Sequence, residues 1–281
     1  MKWQGRRESD NVEDRRGVSG GGLVAGGGVV GIIVYLLYTF LGGSGEPPVM
    51  PNMGGSTSQQ NPQRAAREED LAKFVKVVLA ETEDVWSELF ARGGQQYQDP
   101  TLVLFWDQVQ SACGYGSAAS GPFYCPGDEK LYIDLSFYDE MQNQLGASGD
   151  FAMAYVVAHE VGHHIQNLSG TAAKMQQMRA RLSETEFNKY SVKMELQADF
   201  LAGVWAHYAQ KKGILESGDI EEALNAANAI GDDRLQKQST GTVMPDAFTH
   251  GTSAQRMYWF KKGFQTGDIR QGDTFSDPSL R

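Results

Sequence analysis

The chain has 281 residues and a formal net charge of −10. This acidic balance, together with the absence of a basic stripe, excludes a nucleic-acid-binding protein. The length is sufficient for one domain with its own hydrophobic core and for a further segment outside that core.

Residues 23–41 form an apolar segment that contains no Asp, Glu, Lys, Arg or His. As an α-helix this segment would measure about 28 Å, close to the hydrocarbon thickness of a bilayer. A cleaved signal peptide is the main alternative, but the segment is long for one and no Ala-x-Ala cleavage site follows it. We therefore predict one N-terminal transmembrane helix that contacts the lipid bilayer.

The residues before this segment carry the charges that orient membrane helices. The basic residues within residues 1–22 are Lys2, Arg6, Arg7, Arg15 and Arg16. By the positive-inside rule, residues 1–22 then lie in the cytoplasm and the rest of the chain lies on the other side of the membrane. The sequence thus predicts a single-pass protein of the inner (cytoplasmic) membrane whose main domain is periplasmic or otherwise extracytoplasmic.

Residues 42–66 are rich in Gly, Ser, Pro, Asn and Gln and lack apolar periodicity, so we predict a flexible linker there. The domain proper then spans residues 67–281. Its apolar pattern predicts a long first helix, two strands and a helical remainder, which is an α+β fold that is mostly α. The predicted strands are 101–109 and 131–137, and the predicted helices are 67–91, one between Gly149 and Gly170, 172–184, 186–212, 218–235 and 252–265.

Two cysteines, Cys113 and Cys125, flank the loop between the predicted strands. In an extracytoplasmic domain such a pair is expected to form a disulfide, which would stabilise the fold by about 3 kcal/mol in the entropic description. The alternatives are free thiols in a reducing compartment or additional metal ligands, although no Cys-x-x-Cys spacing supports the latter.

The pentapeptide His-Glu-Val-Gly-His at residues 159–163 lies in an apolar stretch with helical periodicity. Side chains four apart lie on one face of a helix, so His159 and His163 can bind one metal ion. Glu160 lies on the adjacent face, where it can reach a metal-coordinated water without being a ligand. Zinc suits this set, because imidazole is a good ligand for it and catalytic zinc takes three protein ligands. His164 points about 100° away from His163 and is interpreted as an ordinary polar residue.

A third ligand is expected on the long helix predicted at 186–212. Glu195 and Asp199 are four residues apart and share a helix face. We predict that Glu195 binds the metal and that Asp199 orients a neighbouring ligand from behind. The alternative is an acidic pair on a solvated helix surface.

These motifs resemble those of known membrane metalloproteases. HExxH followed by Glu-x-x-x-Asp on a later helix is similar to the heat-shock membrane protease and the CAAX prenyl proteases. Residues 249–256, Thr-His-Gly-Thr-Ser-Ala-Gln-Arg, resemble their Thr/Ser-His-Pro-x-x-x-x-Arg motif, with Gly251 in place of the usual proline. Residues 1–16 are similar to the start of a bacterial family of neutral zinc metallopeptidases, and the likeness extends through nearly the whole chain.

The resemblance implies a zincin-like metalloprotease domain with a small β-sheet or hairpin beside the active-site helix, one Zn²⁺ ion and a protein or peptide substrate. It also implies that His250 donates a hydrogen bond to the oxyanion and that Arg256 is a structural anchor, paired with Asp199. In such proteases an edge strand lies over the helix that carries the metal-binding histidines, and the substrate backbone pairs with this strand. Residues 131–137 would have this role, although from sequence alone the strand could equally be interior.

The predicted function is that of a membrane-anchored zinc-dependent endopeptidase, with Glu160 as the general base for a zinc-activated water. A zinc hydrolase that cuts peptidoglycan crosslinks is the close alternative, because a zinc ion and a carboxylate base can hydrolyse amide bonds in either proteins or peptidoglycan. A metal-binding scaffold without turnover is a further alternative. The intact Glu160 argues against the scaffold, which has no need of a general base.

Overall fold

The computed structural model of the chain describes residues 1–16 and 62–280. Within these residues the fold is α+β and mostly helical, with small sheets. The helices are α1 (Pro62–Arg92), α2 (Ser136–Asn143), α3 (Asp150–Leu168), α4 (Thr171–Arg179), α5 (Glu184–Lys211), α6 (Asp219–Ala229), α7 (Asp232–Thr240) and α8 (Ser253–Thr266). The strands are β1 (Val12–Asp14), β2 (Thr101–Phe105), β3 (Gln108–Ser111), β4 (Gly114–Ser117), β5 (Phe123–Cys125) and β6 (Lys130–Asp134).

Four of these strands form one sheet in the order β1-β2-β6-β5. β1 and β6 run parallel to β2, and β5 runs antiparallel to β6. The central strands β2 and β6 are apolar and buried along nearly their whole length. Such continuous apolar runs are typical of strands that are covered on both faces. β3 and β4 form a separate antiparallel hairpin.

α3 is the central helix of the domain. Its first half, residues 151–157, is apolar on every side and buried, so the helix is enclosed by other elements instead of lying on the surface. It packs against α1, α5, α6 and β5. α5 also crosses α8 closely, because a Cβ atom on Gly203 or Gly263 would lie 2.0 Å from a backbone oxygen of the other helix. This close crossing brings side chains of α8 within reach of α3.

Residues 1–16 form an N-terminal arm that lies on the domain. β1 extends the sheet beside β2, through three residue pairs. Glu83 of α1, which is 5% exposed, accepts hydrogen bonds from the side chains of Arg7, Ser9 and Asn11. The arm is therefore an integral part of the folded domain.

The predicted membrane topology is wrong. Among residues 1–16 and 62–280, no helix combines the length and the apolar character needed to cross a membrane. The segment predicted to do so, residues 23–41, and most of the predicted linker lie outside the described residues. The topology also required residues 1–22 to lie across a bilayer from the main domain, whereas β1 pairs directly with β2. The predicted single-pass inner-membrane localisation is therefore wrong as well.

The strand predicted at 131–137 is shorter than expected and has a different place in the sheet. β6 ends at Asp134, whose carboxylate accepts the backbone N–H of Ser136, and α2 begins there. β6 lies between β2 and β5, so it is interior. The edge strand next to α3 is β5.

Two other predicted elements are interrupted by turns. The strand predicted at 101–109 is divided into β2 and β3 at Asp107, which has a φ of +62°. The helix predicted at 218–235 is divided into α6 and α7 at Gly231, whose backbone is extended with φ −71° and ψ 141°. Neither turn interrupts the apolar periodicity, which explains why the pattern predicted continuous elements.

Candidate metal centre

His159 and His163 lie on one face of α3, and Glu195 of α5 lies opposite them. The Nε2 atom of His159 is 3.1 Å from Oε2 of Glu195, and the Nε2 atom of His163 is 3.4 Å from Oε1 of the same carboxylate. The candidate ligand atoms all lie within 4.8 Å of one another. The structure thus brings the three predicted ligands together at one point.

A glycine inside the motif allows the two helices to come this close. A Cβ atom on Gly162 would lie 3.0 Å from the carbonyl oxygen of Ala198 and 3.1 Å from its Cα atom. These separations are shorter than the optimal distance between non-bonded heavy atoms. The absence of a side chain at Gly162 therefore favours the close approach of α5, which carries Glu195, to the helix that carries both histidines.

The other side of His159 is held by a buried polar network. Its Nδ1 atom is 2.8 Å from Oδ1 of Asp199, which is fully buried. Asp199 accepts two hydrogen bonds from Arg256 of α8, at 2.8 and 2.9 Å, and one from the hydroxyl of Tyr155, at 2.5 Å. Burial opposes ionisation of Asp199, but Arg256 and His159 together outweigh it and lower its pKa to about 2. The ionised carboxylate accepts the Nδ1–H of His159, so the lone pair on Nε2 faces Glu195.

Gln166 orients His163 in the same way. The Nε2 atom of Gln166 donates to the carbonyl oxygen of Met194 at 2.7 Å and to Oε1 of Gln197 at 3.0 Å, which fixes the direction of the amide. Its Oε1 atom therefore accepts from Nδ1 of His163, at 2.9 Å. The Nε2 lone pair of His163 is then also directed towards Glu195.

This arrangement has the chemistry of a cation site. Two imidazole lone pairs and a carboxylate are all acceptors, and bringing them together in a buried place is unfavourable without a positive charge between them. Burial opposes a charged imidazole, yet Glu195 raises the pKa of His163 to about 9, which reflects the same need for positive charge. Zinc binds imidazole nitrogen and carboxylate oxygen with three protein ligands at catalytic sites, so the donor set fits it.

The candidate metal centre lies on the wall of a cleft of about 740 Å³, a size typical of ligand-binding pockets. Glu160, His250 and Arg256 line the same cleft. Glu160 is 7% exposed, and burial raises its pKa against the opposing effect of His163. The same cleft is therefore lined by the predicted ligands, the predicted general base and the predicted oxyanion donor.

His250 lies in the loop before α8 and is held by Asp232. Its Nδ1 atom is 3.2 Å from Oδ1 of Asp232, while Oδ2 accepts the backbone N–H groups of Thr249, His250 and Gly251. Burial lowers the pKa of His250, but the attraction of Asp232 outweighs it and the net shift is upward. The charged imidazole has an N–H on both nitrogens, so Nε2 can donate while Nδ1 is held. Gly251 has a φ of +91°, a value that the proline of the resembling motif cannot adopt.

The edge strand β5 borders the cleft and is tied to α3. Phe123 and Tyr124 of β5 line the cleft. The Nε2 atom of His164 is 2.7 Å from the carbonyl oxygen of Gln98, so Nε2 carries the proton and Nδ1 is an acceptor. The hydroxyl of Tyr124 lies 3.0 Å from that Nδ1 atom. His164, which follows His163 directly, thus sets the position of the edge strand relative to the candidate metal centre.

Cys125, the last residue of β5, is joined to Cys113 by a disulfide with a Cα–Cα distance of 5.8 Å. Cys113 lies in the turn between β3 and β4, so the bond links the hairpin to the edge strand. Neither cysteine belongs to the cluster of candidate ligands. The bond uses both thiols and excludes the two alternative interpretations of the pair.

Three residues of the site were not predicted from the sequence: Tyr155, Gln166 and Asp232. Tyr155 precedes His159 by four positions and Gln166 follows His163 by three, so helical periodicity places each beside the histidine it contacts. The sequence therefore contained a signal for Tyr155 and Gln166. It contained no such signal for Asp232, because Asp232 lies 18 positions before His250 and contacts it only through the folding of a loop.

Comparison with known proteins agrees with this geometry. A family model described as "Putative neutral zinc metallopeptidase" matches residues 1–275 of the chain. The chain is 52% identical to the protein YpfJ of Escherichia coli (strain K12) over 283 residues, covering 98% of this chain and 99% of YpfJ. It is 42% identical to the protein Rv2575 of Mycobacterium tuberculosis (strain H37Rv) over 226 residues, covering 75% of this chain and 74% of Rv2575. Both relatives are described as uncharacterized, and no solved structure matches the chain.

Proposed function

Because the chain belongs to the putative neutral zinc metallopeptidase family, we propose that it is a zinc-dependent endopeptidase whose metal is bound by His159, His163 and Glu195. The observation that carries this proposal is the convergence of two imidazole Nε2 atoms and one carboxylate within 4.8 Å. Asp199 and Gln166 support the assignment, because they direct both Nε2 lone pairs towards the same carboxylate.

Glu160 is the general base in this proposal. Zinc bound by the three ligands would polarise the scissile carbonyl and lower the pKa of a coordinated water towards about 7. The carboxylate of Glu160, which lines the cleft beside the ligands, takes the proton of the attacking water and delivers it to the leaving amine. Burial raises the pKa of Glu160, which makes its carboxylate a better proton acceptor.

His250 is the proposed hydrogen-bond donor to the carbonyl oxygen as that oxygen gains negative charge. Asp232 holds Nδ1 of His250 at 3.2 Å and favours the charged imidazole, so Nε2 is free to donate. A donor that acts on developing charge stabilises the transition state more than the bound substrate. Arg256 and Tyr155 act through Asp199, which they hold against His159.

The substrate in this proposal is a polypeptide that lies along β5. Edge strands bind extended peptides through main-chain hydrogen bonds, which tolerate many sequences. Residues from 120–126 and from 235–250 line the cleft together with the candidate ligands. A cleft of about 740 Å³ has room for more than a terminal residue, which favours cleavage of internal peptide bonds.

Metal removal and restoration test the proposal. The protein would be incubated with a denatured protein, first zinc-loaded, then after dialysis against a chelator, and then with zinc restored. We expect new α-amino groups to appear only with zinc present. Hydrolysis that survives chelation, or its absence in the zinc-loaded protein, would contradict the proposal. A parallel digestion of purified cell wall detects release of crosslinked peptides, the result expected of a peptidoglycan hydrolase.

A further inference from the structure

One end of the cleft contains a carboxylate that the proposed reaction does not use. Glu140 of α2 lines the cleft together with Phe137, Leu145 and Val156. Its Oε1 atom is buried and has no hydrogen-bond partner in the described part of the chain. A buried polar atom without a partner is unfavourable, so a cleft-lining carboxylate with such an oxygen points to a donor on the ligand.

This end of the cleft adjoins the reacting centre. Val156 precedes Glu160 by four positions on α3, so their side chains lie one helical turn apart on the same face. Phe137 precedes Glu140 by three positions on α2, and these two also share a face. A substrate side chain near the scissile bond can therefore extend past Val156 and Phe137 towards Glu140.

We propose that Glu140 selects polypeptide substrates that carry a lysine or arginine near the scissile bond. The walls formed by Phe137, Leu145 and Val156 are apolar and at most 8% exposed, which suits the aliphatic stem of such a side chain. The cationic end of the stem would donate to the carboxylate of Glu140, and hydrogen bonds between charged groups are the strong ones. This inference rests on the proposed endopeptidase function, whose substrate preference it specifies.

The charge around Glu140 supports the choice of a cation over a neutral donor. Burial raises the pKa of Glu140, and the nearby Asp134 adds to the rise. Both effects oppose a second negative charge in this region, and both are relieved by a positive partner. Lysine and arginine differ from the other side chains in supplying that charge on a long apolar stem.

The test measures cleavage preference. The zinc-loaded protein would digest a peptide library, and mass spectrometry would identify the cleavage sites. We expect enrichment of lysine and arginine at one position within three residues of the cut. For two synthetic peptides that differ only in lysine against norleucine at that position, we expect kcat/KM to favour lysine by at least about tenfold. In Glu140→Gln this ratio should fall to about one to two.

Glu184→Gln is the matched control, because Glu184 also lines the cleft but is exposed at the start of α5. It should keep the lysine preference of the wild type. Binding of the two peptides to the Glu160→Gln protein gives a readout without turnover, and lysine should again be preferred. Cleavage without a basic preference, or a preference that survives Glu140→Gln, overturns the role of Glu140 alone. Absence of any cleavage overturns the endopeptidase function and this inference with it.

Discussion

Each candidate ligand histidine has one ring nitrogen bonded to the protein, and that bond decides which nitrogen faces Glu195. Asp199 holds Nδ1 of His159, and Gln166 holds Nδ1 of His163. The imidazoles are therefore oriented before a metal binds, which reduces the side-chain entropy lost on binding. The two carboxylates of α5 then have separate roles, one towards the metal and one behind a histidine.

Replacing each of these carboxylates by its amide tests the division of roles. We expect Glu195→Gln to lose most of its zinc affinity, because a neutral amide oxygen is a weaker ligand than a carboxylate. We expect Asp199→Asn to weaken zinc binding by only about 10–100-fold, the range for a partner that orients a ligand. Competition with a chromogenic chelator measures both affinities. The reverse order would make Asp199 the ligand and contradict the proposed site.

His250 is expected to act on the transition state. We expect His250→Ala to fold, to retain zinc and to lower kcat at least about 30-fold, with a smaller change in KM, because its hydrogen bond forms to developing charge. Steady-state kinetics on a peptide, with zinc content measured on the same sample, checks this. Turnover equal to that of the wild type would leave His250 with a structural role only.

The residues of the site differ in how far the sequence could predict them. His159, Glu160 and His163 follow from helical spacing, because residues within about one helical turn have few possible relative positions. The pairing of Asp199 with Arg256 was suggested by a resembling motif, since nothing in local spacing connects α5 to α8. Contacts of this kind depend on how helices cross, which periodicity does not encode.

At the scale of elements, the edge strand β5 is joined to α3 by two side-chain hydrogen bonds of the Tyr124 hydroxyl, one with His164 at 3.0 Å and one from Asn167 at 3.2 Å. Tyr124→Phe removes the hydroxyl that contacts His164 and leaves the ring in place. If β5 receives the substrate, KM should rise about 3–10-fold, because the neutral hydrogen bonds that position β5 against α3 are lost, while zinc affinity stays unchanged. Tyr115→Phe, at an 80% exposed tyrosine of β4, is the control and should leave KM unchanged. An unaltered KM in Tyr124→Phe would argue against substrate binding at β5.

The elements that were predicted best are those with long periodic patterns. α3 and α5 were expected from apolar spacing. In the structure Ser183 caps the start of α5, since its side chain accepts the Glu186 N–H. The edge strand was assigned to residues 131–137, but β5 is only three residues long and too short for a periodic signal. Strand order is set by tertiary pairing, so the sequence could not decide which strand is at the edge.

At the scale of the whole molecule, Glu83 is the buried carboxylate that accepts hydrogen bonds from three side chains of the N-terminal arm. Glu83→Ala removes the acceptor shared by Arg7, Ser9 and Asn11, and we expect it to lower the free energy of unfolding by about 2–3 kcal/mol. Asp84→Ala is the matched control, since Asp84 is exposed and pairs with the Arg7 guanidinium, and it should cost less than about 1 kcal/mol. Chemical unfolding of both variants, with N-terminal proteolysis as a second readout, makes the comparison. If the two variants lost the same free energy of unfolding, Glu83 would not be the residue that anchors the arm.

The arm is also the part of the fold that the sequence predicted least well. Residues 1–16 are mostly polar and charged, so their composition gave no sign of a strand, and their basic residues indicated membrane orientation. In the structure the same residues form specific ion pairs, such as that between Arg7 and Glu83 at 3.0 Å. Arg6 and Arg7, which a local rule assigns to a membrane surface, pair here with carboxylates of α1 that lie 75 and 76 positions away.

The most direct test of the central claim is a comparison of zinc content and protein hydrolysis in the wild type and Glu160→Gln. Glu160 lies beside the ligands without being one, so its amide variant should bind zinc as well as the wild type. It should nevertheless lose more than about nine-tenths of the hydrolysis, because the proton acceptor is gone. Both quantities would be measured on one preparation of each protein, with a denatured protein as substrate. A Glu160→Gln protein that holds zinc and still cleaves at more than about a tenth of the wild-type rate would contradict the account.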